Sequence, residues 1–227
     1  MVASVFRKRY GLRNGSRKIS YLKEMSDQGY NSERIGSFHE FMLPWLLSSN
    51  NVAKNECVVD IGAGLGHGLI PLHHKGWNRL VAVDVEEYNF PLFREKYGIT
   101  TALCNITSQR LDLESESAGA VLCFHVIEHL QDPDILLKEI YRVLKSNGIL
   151  FLVTPDWRKQ YKSFWRDPKH VHPYDKISIA RILRIYRFLP KVFSWNSRYG
   201  LGRIKAYRWF PRLGMIGEDL IAICTKC

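Results

Sequence analysis

The segment Cys57-Val-Val-Asp-Ile-Gly-Ala-Gly-Leu-Gly-His-Gly68, followed by Val81-Ala-Val-Asp-Val-Glu-Glu87, decides the fold. Val58, Val59 and Ile61 make a short apolar run typical of a fully buried strand, and a glycine-rich turn breaks it. Gly62, Gly64 and Gly66 can adopt backbone angles closed to other residues, and they let a ligand approach the main chain. About twenty residues later a second apolar run, Leu80 to Val83, ends in Asp84. An acid at the tip of the second strand of a βαβ unit is placed to accept hydrogen bonds from ribose hydroxyls. These features describe a pocket for an adenosine-containing ligand.

The spacing separates the ligand classes. A dinucleotide fingerprint needs its third glycine at position 67, where this chain has His67. No Gly-Lys-Ser/Thr follows, which excludes a P-loop. The pattern Asp60-x-Gly62-x-Gly64-x-Gly66 resembles motif I of the class I methyltransferases that use S-adenosylmethionine (SAM), whose turn holds a sulfonium amino acid and not a pyrophosphate. Further on stand Val121-Leu-Cys-Phe-His-Val-Ile-Glu-His-Leu130, Asp132-Pro133, Leu136-Leu137, Arg142-Val-Leu-Lys-x-x-Gly148 and Thr154-Pro155. Over residues 56–155 this order is similar to the type 11 methyltransferase group. A shorter stretch, Phe164-Trp-Arg-Asp-Pro-Lys-His-Val-His-Pro-Tyr174, resembles a signature of members linked to glycan or lipopolysaccharide biosynthesis.

Alternating buried runs and amphipathic segments indicate an α/β chain with a parallel sheet and right-handed crossovers. Strands are expected at 56–61, 79–84, 100–104, 118–124 and 149–153, and a helix over 34–48 carries Ile35, Phe38, Phe41, Met42, Trp45 and Leu46 on one face. Asp132-Pro133 reads as N-cap and first position of a helix that Asn147-Gly148 ends. The resemblance implies a Rossmann-like seven-stranded mixed sheet, mostly parallel with an antiparallel last strand and helices on both faces. Segments 191–198 and 217–226 supply its closing hairpin. Residues 1–30 read as a basic N-terminal arm and 31–227 as a single domain, with core 56–155 and acceptor lid plus hairpin 156–227.

At 227 residues and 46% hydrophobic content the chain can bury one good core, and no apolar run is long enough to span a bilayer. Five scattered cysteines form no disulfide framework and fit a reducing, cytoplasmic compartment. The net charge of +11 is unevenly placed: residues 36–156 are mildly acidic, whereas 157–227 carry sixteen Lys and Arg against four acids. There the basic residues alternate with aromatics such as Trp157, Tyr161, Trp165, Tyr207 and Trp209. Such a surface attracts an anionic acceptor, and it also suits peripheral contact with a membrane or with nucleic acid.

The resemblance assigns roles to individual residues. SAM is the implied cofactor. Asp60 organises the glycine turn, and Gly62, Ala63, Gly64 and Gly66 lie against the methionine and ribose parts. Asp84 and Val85 take the ribose, Asn105 and Ile106 flank adenine, and Phe124 and His125 border the methionine end. Arg34 stands where an arginine of ubiquinone-pathway relatives meets the SAM carboxylate. A general base is needed if the acceptor is a hydroxyl. His125, His129 and His170 are the candidates for catalysis, with Asp156, Asp167 and His172 nearby in sequence. His125, Glu128 and His129 with a later histidine resemble the metal-binding pattern of small-RNA 2′-O-methyltransferases, but His125 replaces their first Glu, and no metal is expected. The function implied is O-methylation of a small molecule or glycan intermediate. The alternatives are an RNA methyltransferase and a non-catalytic subunit that keeps the fold.

Overall fold

A computed structural model of the protein describes residues 38–195 and 219–226, with Lys23 as an isolated position. The basic arm, Arg34 and residues 196–218 lie outside the described residues. Seven strands form one sheet among the described residues: β1 (Cys57–Ile61), β2 (Arg79–Asp84), β3 (Thr100–Leu103), β4 (Ala118–Phe124), β5 (Leu144–Pro155), β6 (Phe188–Trp195) and β7 (Asp219–Lys226). Their order is β3-β2-β1-β4-β5-β7-β6. The first five run parallel, and β7 runs antiparallel to both β5 and β6. From β1 the chain moves outward to β2 and β3, then returns to place β4 on the other side of β1. The order reverses beside β1, and in open sheets of this kind ligands bind outside the C-terminal ends of the strands at that point.

Both sheet faces are covered, as a parallel sheet requires. Val59, Ile61, Val81, Val121, Cys123 and Leu152 pack with helices α4 (Asp134–Val143) and α5 (Lys176–Ile185). Val58, Leu80, Ala82, Leu122 and Phe151 pack with α1 (Leu43–Ser49), α2 (Leu69–His74) and α3 (Phe90–Tyr97). Cys57, Cys104, Cys123 and Cys224 are buried free thiols. No helix among the described residues is long and apolar enough to cross a membrane.

Three elements differ from the sequence expectation. The segment before β1 opens as a π-turn, Phe38–Met42, and only then becomes α1. A π-turn takes in an extra residue and rotates the face that follows. Leu43 and Leu47 are therefore fully buried, while Phe41 and Trp45 are 44% and 59% exposed. In α4, Asp132 Oδ1 accepts the Asp134 N–H at 2.9 Å, so the cap acts from outside a helix that begins one residue later than expected. That helix stops at Val143; Asn147 (φ 63°) and Gly148 belong to β5, beside a register shift at Ala118/Ala120. The closing strand β6 begins at Phe188, three residues early, because Pro190 is tolerated on an outer strand that needs no N–H there.

The long connection from β3 to β4 is fastened by α4. Glu139 Oε2 accepts the Leu111 N–H at 2.8 Å, and Arg142 donates to Glu139, to the Leu111 carbonyl at 2.9 Å and to the Leu113 carbonyl at 2.6 Å. Both side chains are mostly buried, at 11% and 16% exposure. Removing one partner of such a pair leaves a charge without compensation, and the exposed Arg110 at 3.7 Å is a poor substitute. Arg142→Ala is expected to cost about 3 kcal/mol, read as a lower urea midpoint at unchanged m-value.

Candidate active site

The glycine turn is held from both neighbouring strands. Gly62 and Ala63 each donate a backbone N–H to the Val83 carbonyl, at 2.8 and 3.1 Å. Gly62 has φ +77°, and a Cβ there would collide with the Val126 side chain from the tip of β4. Gly66, at φ +84°, would place a Cβ 2.6 Å from the Phe93 ring. Asp84 Oδ2 accepts the Gly64 N–H at 2.8 Å, its Oδ1 accepts the Glu86 N–H at 3.0 Å, and Asn89 donates to the Gly64 carbonyl at 2.8 Å. Ala63 is buried under the turn, whereas Val85 is 62% exposed beside it.

Asp60 lies under this turn in close contact with Gly68, where only a glycine leaves room for the carboxylate. It is almost wholly buried, and its Oδ1 has no hydrogen-bond partner. Burial first, and then the charge of Asp84, push its pKa up to about 8. Asp84 is also raised by burial, partly offset by the backbone N–H groups it accepts. An orphaned carboxylate oxygen, a second raised acid and an open glycine cradle fit a cationic donor that also carries hydroxyls.

At the tip of β3, Asn105 Oδ1 accepts from the Thr107 N–H at 3.1 Å and its hydroxyl at 2.7 Å. The side-chain carbonyl of this exposed residue thus shapes its own turn. Ile106 is buried in the core and packs with the sheet.

The tip of β4 gathers the histidines. His125 takes a left-handed backbone (φ 53°), its N–H bonded to the Val153 carbonyl at 2.9 Å. Its half-exposed ring sets Nδ1 3.3 Å from Oε1 of the fully buried Glu128, whose Oε2 accepts the Thr154 hydroxyl at 3.1 Å. Burial alone would favour both neutral forms. The contact between them outweighs it, raising His125 and lowering Glu128. With Nδ1 donating to Glu128, Nε2 of the neutral ring is left as the basic nitrogen.

The loop after β5 is tied to the same turn: Val171 and His172 donate their N–H groups to the Glu128 carbonyl at 2.9 and 3.0 Å. His129 Nδ1 meets the Lys169 carbonyl at 3.1 Å and His170 Nδ1 the Phe164 carbonyl at 2.7 Å. His172 stacks on Tyr174, and Asp167 accepts the Lys169 N–H, so these two serve the loop. Asp156 is buried near Lys159 at 3.9 Å. Sequence reasoning passed over His39 and His67. The π-turn places the His39 ring 5.5 Å from Phe124 and 6.0 Å from His67, and burial, then His67 and His125, lowers its pKa to about 3. A crevice of about 420 Å³ near Arg79, Leu80 and Asp112 lies at the opposite, N-terminal ends of β1, β2 and β3.

Residues 59–152 match the model of a family described as a methyltransferase domain. This stretch is a type 11 domain of the class I, SAM-dependent methyltransferases. Across 74% of its length the chain is 27% identical to a methyltransferase-like protein of Schizosaccharomyces pombe, covering 62% of that protein. It is also 27% identical, across 62% of its length, to a ubiquinone biosynthesis O-methyltransferase of Rickettsia conorii, covering 51% of it. The chain thus spans little more than half the length of these curated relatives. A SAM-dependent methyltransferase of Thermotoga maritima shares the fold at a TM-score of 0.63 and 20% identity, covering 90% of this chain and 95% of that one.

Asp60 gives the methyltransferase domain a signature in pH. The carboxyl ionises near 4 when unfolded and near 8 when folded, so between those values the folded state holds the extra proton. This contribution favours folding at the acid end and is lost as pH rises toward 8. The thermal midpoint of the ligand-free wild type is expected to fall relative to Asp60→Asn between pH 5 and 8, in a calorimetric comparison.

Proposed function

We propose that the protein is a SAM-dependent O-methyltransferase acting on an anionic small molecule or glycan intermediate. The observation that carries this reading is Asp84: one carboxylate both fixes the glycine turn through Gly64 and remains open at the strand tips for two hydroxyls. SAM supplies a methyl carbon bonded to a cationic sulfur, a leaving group already activated. What remains for the protein is mainly alignment and charge. The turn held by Gly62 and Gly64 receives the donor, and Asp84 at the strand tips takes its hydroxyls. His125 Nε2 takes the proton of the acceptor hydroxyl as its oxygen attacks, while Glu128 fixes the ring. The basic sequence after Asp156 supports an anionic acceptor, and the O-methyltransferase relative supports oxygen as the atom methylated.

Titration calorimetry with SAM tests the cofactor, and transfer of radiolabelled methyl to nucleotide-sugar or to tRNA pools tests the acceptor. Labelled sugar is expected; labelled tRNA alone would turn the reading to RNA, and no SAM affinity would abolish it. Asp84→Ala should weaken SAM binding by about 1.5–3 kcal/mol, the worth of a charged hydrogen bond. His125→Asn should lower kcat by roughly 10²- to 10⁴-fold, far more than it changes SAM affinity.

A further inference from the structure

We propose that Glu128, His129 and His170 form a binding site for a divalent transition-metal ion, supplied by one carboxylate oxygen and the two Nε2 atoms. Their ligand atoms all lie within 4.8 Å of one another. Proximity alone is weak grounds; the surrounding hydrogen bonds make the cluster specific. His129 Nδ1 faces the Lys169 carbonyl and His170 Nδ1 faces the Phe164 carbonyl. A carbonyl can only accept, so each Nδ1 carries the hydrogen and each neutral ring keeps its lone pair on Nε2. Histidines that bind metals are held in this way, the outer N–H donated to a backbone carbonyl that fixes tautomer and ring angle. The two rings stand 4.8 Å apart, centroid to centroid, at 48°.

The third ligand is the buried Glu128. Each of its oxygens takes one contact, from His125 Nδ1 and from the Thr154 hydroxyl, and each retains a further lone pair. Two imidazoles and a carboxylate suit ions of the Mn²⁺ to Zn²⁺ series; Mg²⁺ and Ca²⁺ prefer oxygen throughout. Metal–ligand bonds of about 2.0–2.2 Å need the three atoms closer than they stand. Binding therefore draws His170, on the loop after β5, toward His129 on the turn after β4. The competing arrangement is a protonated His170 paired with Asp167, whose Oδ2 lies 3.9 Å from Nε2.

Full-length protein without an affinity tag, stripped with EDTA, is titrated with Co²⁺ and Zn²⁺. We expect one Co²⁺ per chain with visible d–d absorption, no displacement by millimolar Mg²⁺, and roughly tenfold or greater weakening in each of His129→Gln and His170→Gln. His172→Gln, in the same loop, should bind as the wild type does. SAM affinity and thermal melting of each variant report whether it has folded. Should a variant fail to fold, the wild type answers directly: Zn²⁺ must shift the Nε2 resonances of His129 and His170 in long-range ¹H–¹⁵N spectra. The proposal is overturned by absence of stoichiometric Co²⁺ binding, by binding that both variants leave unchanged, or by shifts confined to other histidines such as the adjacent His73 and His74. Loss of SAM binding with Co²⁺ binding intact would sink the cofactor reading and leave this one standing.

Discussion

Asp60 stands near the end of β1, buried, with one oxygen unmatched and a second acid on the next strand. The rest of the cleft follows from accommodating that arrangement. Gly68 must lack a side chain because the carboxylate occupies the space, and Gly62 must lack one because Val126 does. Asp84 is more comfortable, since the backbone of the turn gives it N–H groups to accept. Both acids remain costly to ionise, because burial disfavours the charged carboxylate.

Glu128 plays the corresponding part after β4. Its side chain orients His125 and takes the Thr154 hydroxyl, while its carbonyl receives two amides of the loop after β5. A single buried residue thus joins the tips of β4 and β5 to the loop that covers them. The same loop returns to the sheet through Trp157 and Tyr174, whose backbone bond of 3.0 Å closes its base.

Most of the fold was legible because it rests on short-range signals. Apolar runs of strand length fixed β1, β2 and β4 to within a residue, and Asp60, Gly62, Gly64 and Asp84 meet where motif spacing puts them. The errors fall where local patterns compete with packing. A π-turn leaves no mark in hydrophobic periodicity, so the inward face of α1 was misread and His39 was overlooked. Asn147-Gly148 is as good a signal for a strand irregularity as for a helix end, and only pairing with β4 distinguishes them. The directions in which His129 and His170 point depend on the Lys169 and Phe164 carbonyls, the first of them forty residues away, which no spacing rule records.

The attachment of the loop to the Glu128 carbonyl has a mechanical consequence. The loop cannot swing away as one flap, because at Val171 and His172, near its C-terminal end, it is stitched to the turn that carries the His125 partner. A bulky guest that lifts the stitch also disturbs the carboxylate that aims the imidazole. Under the proposed function, size exclusion and proton transfer are therefore geared together: an oversized molecule is penalised once for strain on entry and again for a misaligned His125.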